Sequence, residues 1–127
     1  MERLQISSGS PYENVMGYCR AVRIGSEVFV AGTAPILPGN ETPEGAYDQT
    51  RRCLEIIEIA LKEAGAGLEH VVRTRVYLVS RDDFEEMARA HGDAFREIRP
   101  VNTTVVIKEL MDPRWLVELE VQAVVHE

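Results

Sequence analysis

Between Val117 and Ala123 the chain reads VELEVQA, so that Val117, Leu119, Val121 and Ala123 alternate with Glu118, Glu120 and Gln122. A period of two is the period at which side chains leave opposite faces of a β-strand. This stretch therefore predicts a strand in a sheet with one apolar and one polar face. Such a sheet needs an apolar layer on one side only. The rest of the sequence has to provide that layer.

Two segments carry it. Ala46, Thr50, Cys53, Leu54, Ile57, Ala60, Leu61 and Ala64 recur at spacings of three and four, which makes one apolar stripe along a helix. Gly65 and Gly67 stop it. A second helix is predicted over 80–98, with the stripe Phe84, Met87, Ala88, His91, Phe95 and Ile98. Asp82 followed by Glu85 matches a capping box, Ser80 with Asp83 is a looser variant, and Pro100 closes the segment. Further strands are predicted over 18–32, where two runs meet at a tight Gly25-Ser26 turn, and over 70–79, 102–110 and 115–125. Residues 33–45 read as a loop rich in Pro, Gly and Asn.

The order ββαβαββ predicts an α+β fold, one domain over 1–127, with both helices on one face of the sheet. The opposite face then has no cover within the chain. In so short a protein such a face commonly meets another subunit, and Glu118, Glu120 and Gln122 would line it.

Composition excludes several classes. At 127 residues there is room for one core and not two. No apolar run is long enough to span a bilayer, and the N-terminus lacks the pattern of a secretory signal, so a cytoplasmic protein without membrane partners is expected. The net charge is −7, and the basic residues do not cluster beyond Arg51-Arg52 and the spaced Arg73 and Arg75. Phosphate backbones need concentrated positive charge, so no nucleic-acid partner is expected. Cys19 and Cys53 form no CxxC, and His70, His91 and His126 form no HxH or HExxH. No metal or cofactor is expected. Cys53 lies on the first helix's stripe, which predicts a buried thiol. Neither a phosphate-binding GxGxxG nor a nucleophile elbow occurs.

Four segments together resemble the RidA (YjgF) family of reactive intermediate deaminases: GYCRAVRIGSEVFVAGTAP at 17–35, QTRRCLEIIEIALKEAGAGLEHVVRTRVYLV at 49–79, DFEEMARAHGDAF at 83–95, and RPVNTTVVIKELMDPRWLVELEVQA at 99–123. The resemblance spans nearly the whole chain, and VELEVQA is its most specific part. It implies a chorismate-mutase-like α+β subunit with a mixed sheet, assembled as a homotrimer with small-molecule clefts between subunits. It also implies hydrolysis of enamines and imines to a 2-keto acid and ammonia. Some relatives carry an endoribonuclease L-PSP or translation-inhibitor label; the acidic charge here counts against that activity.

Carried over by position, the family's water-positioning glutamate falls on Glu118, the implied catalytic residue, and its cleft-wall tyrosine on Tyr18. The family's carboxylate-gripping arginine falls on Asn102, in PVNT where the family has P-A-R-S. An amide offers no charge and no fork to a carboxylate, which is worth on the order of 1.5–3 kcal/mol. Arg20, Arg99 and Arg114 are the candidate replacements. Asn102 and Thr103, with Glu118, would otherwise favour a neutral or cationic ligand. A non-catalytic metabolite-binding role for the same cleft is the competing expectation.

Overall fold

The computed structural model describes residues 2–126. Strands β1 (Arg3–Ile6), β2 (Ala21–Ile24), β3 (Glu27–Thr33), β4 (Val71–Leu78), β5 (Val101–Val106) and β6 (Val117–Val124) form one sheet in the order β1-β2-β3-β6-β4-β5. Only β4 and β5 pair in parallel. A parallel pair needs a crossover, and α3 (Phe84–Phe95) provides it. The other pairs are antiparallel, so the sheet is mixed. The alternating strand β6 lies inside it, between β3 and β4.

Helix α2 (Ala46–Glu63) buries all of its predicted stripe. Its end is set by Gly65, whose φ of 81° opens the left-handed region. The Ala66 N–H then donates to the Leu61 carbonyl at 2.8 Å and the Gly65 N–H to that of Lys62 at 3.0 Å. Those bonds satisfy carbonyls that the helix leaves open. Ile57 and Leu61 of α2, with Met87 and Phe95 of α3, join Val28, Val76, Leu119 and Val121 of the sheet in one core. Both helices take the face of β6 that carries Val117, Leu119, Val121 and Ala123.

The structure corrects several boundaries. Helix α3 begins at Phe84, because Arg81–Asp83 form a single 3-10 turn. No Asp82–Glu85 capping box forms; the Ser80 hydroxyl instead accepts the Asp82 N–H at 3.1 Å. The strand at 70–79 is β4 from Val71, preceded by a 3-10 turn over Leu68–His70. The strand at 102–110 shortens to Val101–Val106, and that at 115–125 to Val117–Val124. The first strand of the 18–32 pair starts at Ala21, not Tyr18. Its turn at Gly25-Ser26 holds, with Ile24 opposite Glu27.

Two elements were not read from the sequence. Strand β1 pairs along β2 at the sheet edge. Helix α1 (Pro11–Met16) is capped by Ser10, starts on Pro11 and ends at Gly17 with φ 77°. A four-residue strand with one buried side chain and a six-residue helix are too short to show a period. Ser10-Pro11 was the local signal for the helix start.

Candidate functional site

Strand β6 puts Glu118 on the face away from the helices, opposite Tyr77 of β4. The register between β3 and β6 slips between Val30 and Thr33, a bulge at Ala31-Gly32. Gly32 comes against the Glu118 carboxylate: an added Cβ would overlap Oε2. Arg20, in the turn before β2, donates from Nη2 to the carbonyls of Ala31 and Gly32, each at 2.7 Å. The bulge therefore holds a guanidinium on its carbonyls and a carboxylate against its α-carbon.

Neither charge is spent on an ion pair among the described residues. Burial raises the Glu118 pKa, while Arg20 pulls it down and Glu120 adds to the rise. Burial lowers the Arg20 pKa against the opposing charges of Tyr18, Glu118 and Glu13. Arg20 Nε is buried without a hydrogen-bond partner. Glu13 accepts from the Ser7 hydroxyl at 2.9 Å and from the Ser8 N–H and hydroxyl at 2.9 and 2.6 Å, and these bonds hold its carboxyl below the usual range. They tie α1 and the loop before it in place, and Tyr18 follows directly from the α1 cap, 41% exposed.

Glu120 shares the face of Glu118 but not its freedom. The Tyr77 hydroxyl donates to it, and Arg75 lies at 3.5 Å. Of the two carboxylates in VELEV, the first makes no hydrogen bond or ion pair among the described residues and the second is engaged with the sheet.

Asn102 lies elsewhere. It pairs with Thr74, and its Nδ2 donates to the Thr74 hydroxyl at 2.9 Å; the Thr104 hydroxyl donates to Asn102 Oδ1 at 2.9 Å. Thr74 is fully buried on the helix side with Val76 and Leu78, and its Oγ1 meets His91 Nε2 of α3 at 2.9 Å. Thr103, one residue on, shares the bare face with Arg75. One chain thus brings Glu118, Arg20 and Tyr18 into one neighbourhood and sets Asn102 on the other side of the sheet. Arg114 is committed to structure. It clasps Asp112 through Nε at 3.0 Å and Nη2 at 2.8 Å, and donates to the Asn40 carbonyl at 3.1 Å. The Arg114 bonds hold the Asp112 carboxyl down at about 2.

Gly32, Thr74 and His91 were not singled out as site residues from the sequence. Gly32 had a local signal, a glycine at the end of the VFVAG strand run. Thr74 and His91 had none, since 17 residues separate two groups that meet only when α3 lies on β4.

The model of the Endoribonuclease L-PSP family matches residues 10–125. The chain belongs to this family, also called RidA/YjgF. An uncharacterized protein of Streptomyces coelicolor is 40% identical over 94% of this chain and 90% of its own length. The crystal structure of Rv2704 from Mycobacterium tuberculosis, a member of the YjgF/YER057c/UK114 family, is 44% identical with a TM-score of 0.90, covering 98% of this chain and all of that one. Escherichia coli TdcF, solved with bound serine, is 25% identical with a TM-score of 0.81, covering 96% of this chain and 94% of that one. The RidA/YjgF fold is thus that of the whole chain. Among the described residues no helix is long and apolar enough to cross a membrane, and no group of three or more His, Cys, Asp or Glu is placed to hold a metal ion.

Proposed function

We propose that this RidA-family chain assembles as a homotrimer and hydrolyses small imines or enamines in clefts between subunits, releasing a carbonyl product and ammonia. The observation that carries the reading is the Glu118 carboxylate: partly desolvated, raised in pKa, and unpaired on a sheet face that no helix covers. A carboxylate in that state accepts a proton from water as it attacks an imine carbon. Gly32 leaves the room that the carboxylate occupies, Arg20 is near enough to oppose the rise in its pKa, and Tyr18 would wall the approach. Two subunits are required in this reading, because Asn102 and Glu118 leave opposite faces of one sheet and share a cleft only across an interface. The serine bound to TdcF, an amino acid, supports a small ligand of that kind.

Freshly generated imines, made from several amino acids with an amino acid oxidase, test this. The expected result is faster ammonia release with the protein, lost by on the order of a hundredfold in Glu118→Gln. No acceleration with any imine, from protein confirmed as a trimer, would sink the hydrolase reading.

A second reading is favoured by Asn102. It replaces a cation with an amide already engaged with Thr74 and Thr104. A cleft without that cation supports a protein that binds a metabolite without turning it over. An endoribonuclease role gains nothing from a net charge of −7. Retained RNA binding that fell steeply with salt would be needed to support it.

A further inference from the structure

A line of hydrogen bonds runs from the core to the surface beside the start of β5. His91 Nε2 of α3 lies 2.9 Å from the Thr74 hydroxyl of β4. Thr74 accepts from Asn102 Nδ2 of β5 at 2.9 Å, and Asn102 Oδ1 accepts from the Thr104 hydroxyl at 2.9 Å. Thr74 is fully buried, whereas Asn102 is exposed. The bland role of this line is to seat α3 on β4. That explains the bond between His91 and Thr74, but not the two bonds that carry it out to Asn102 and Thr104.

The count of donors and acceptors gives the line a direction. A threonine hydroxyl has one proton. Thr74 already accepts from Asn102, and its own proton goes to His91 Nε2, its other hydrogen-bond partner. Nε2 is then bare, and the proton of the neutral ring sits on Nδ1. Every bond points inward: Thr104 to Asn102, Asn102 to Thr74, Thr74 to His91.

The opposite direction satisfies the same groups. A half-turn of the Asn102 amide exchanges its oxygen and nitrogen. Nδ2 then donates to Thr104, which is only partly buried and can turn its own proton to solvent. Thr74 donates to Asn102 Oδ1 and accepts from His91 Nε2. This direction needs a proton on Nε2. A doubly protonated ring allows no other, because Thr74 would otherwise meet donors on both sides and keep a buried proton without an acceptor.

We infer that protonation of His91 reverses this line and turns over the Asn102 amide, which makes His91 a positioning residue for the hydrogen-bonding edge that Asn102 shows to a ligand. The added proton comes from solvent and is held on Nε2; no other covalent bond changes. Beyond the line, Asn102 keeps one N–H and one lone pair, and the half-turn makes them change places. A ligand carbonyl that accepts from Asn102 in the first state meets an oxygen in the second. The inference rests on the cleft reading above and names what sets the polarity of its Asn102 edge.

The surroundings of His91 fix which state is the resting one. The ring lines a hollow of about 310 Å³ at the end of α3, which it shares with Arg96 of its own helix and Arg99 of the turn into β5, and no carboxylate lines that hollow. The hollow gives solvent a route to the ring. From β4 the neutral Thr74 faces it, and the Phe95 ring packs on it at 4.8 Å. Burial lowers the His91 pKa, and neither arginine favours a further positive charge beside it. The inward direction therefore holds at neutral pH, and the reversal falls below the usual histidine range.

The test is NMR of the isotope-labelled full chain, following the His91 ring nitrogens and the Asn102 side-chain amide from pH 8 downward. At pH 8 the ring should carry its proton on Nδ1. As pH falls, the Asn102 amide signals should shift with the midpoint of His91, and the contacts of the amide protons should move from Thr74 to Thr104. In Thr74→Val the Asn102 signals should stay fixed while His91 titrates. Thr74→Ser, which keeps the hydroxyl, should restore the shared midpoint, so a broken link is told apart from a damaged fold. A ring proton on Nε2 at pH 8, an Asn102 amide indifferent to the His91 midpoint, or a His91 that stays neutral down to the pH of acid unfolding would each overturn the switch. No substrate is needed for these readouts, so failure of imine hydrolysis and failure of the switch are separable.

Discussion

At the scale of the residue, Glu118 and Gly32 are one device. Burial favours the protonated carboxyl, so the folded pKa lies above the unfolded one. The sign for stability follows from linkage. The folded state binds the proton more tightly, so Glu118 is favourable at low pH and becomes a cost as pH rises through its folded value. Glu118→Gln should therefore raise the melting temperature at pH 7 and lose that advantage near pH 4. The gain is under about 1 kcal/mol after allowing for partial exposure, and thermal melts at the two pH values measure it. Replacing Arg20 with Gln removes the charge that opposes the rise, and the Glu118 carboxyl titration should move further up, as carbon-detected NMR would show. Gly32→Ala should leave stability within about 0.5 kcal/mol, because Gly32 is exposed and the overlap is with a side-chain end. It should nonetheless displace the carboxylate and, on the hydrolase reading, reduce imine turnover as is expected of Glu118→Gln.

At the scale of the element, α2 and the loops at its start are held by Gln49, which the apolar stripe does not include. Its Nε2 donates to the Pro43 and Arg114 carbonyls at 3.0 and 2.9 Å, and its Oε1 accepts the Leu116 N–H at 2.7 Å. Gln49 is 2% exposed, so Gln49→Leu would strand three backbone groups. The expected loss is about 3 kcal/mol by urea denaturation, comparable to the 2–5 kcal/mol expected for Leu61→Ala in the core. The loop that Gln49 and Arg114 secure leads directly into β6, so loosening it should also disorder Glu118. The stripe of α2 was legible in the sequence because burial at spacings of three and four leaves a period. Gln49 was not, because a buried polar residue is defined by partners up to 67 residues away.

At the scale of the whole molecule, the face opposite the helices mixes charge with exposed apolar groups. Phe29 is 43%, Val101 58% and Val105 40% exposed on it, beside Arg75, Glu118 and Glu120. On the homotrimer reading these side chains meet another subunit. Light scattering should give the mass of three chains, and Phe29→Asp should shift it toward one. A native chain that is monomeric at micromolar concentration would refute the assembly and with it the shared cleft.

The sequence by itself determined the class of fold, the central strand and the carboxylate face. Amphipathic periods report which side of an element meets the core, and that information is local. By resemblance alone the sequence suggested a site role for Glu118 and a departure at Asn102. Only the tertiary structure decided that Glu118 is free while Glu120 is bound by Tyr77, and that Asn102 turns to the helix side. Only it decided that Arg114 is spent on Asp112, and that His91, Arg96 and Arg99 gather beside Asn102. Those facts depend on strand register and on the seating of α3 over β4. Hydrogen bonds between groups far apart in the chain exist only once the sheet has chosen its order, so no local pattern records them.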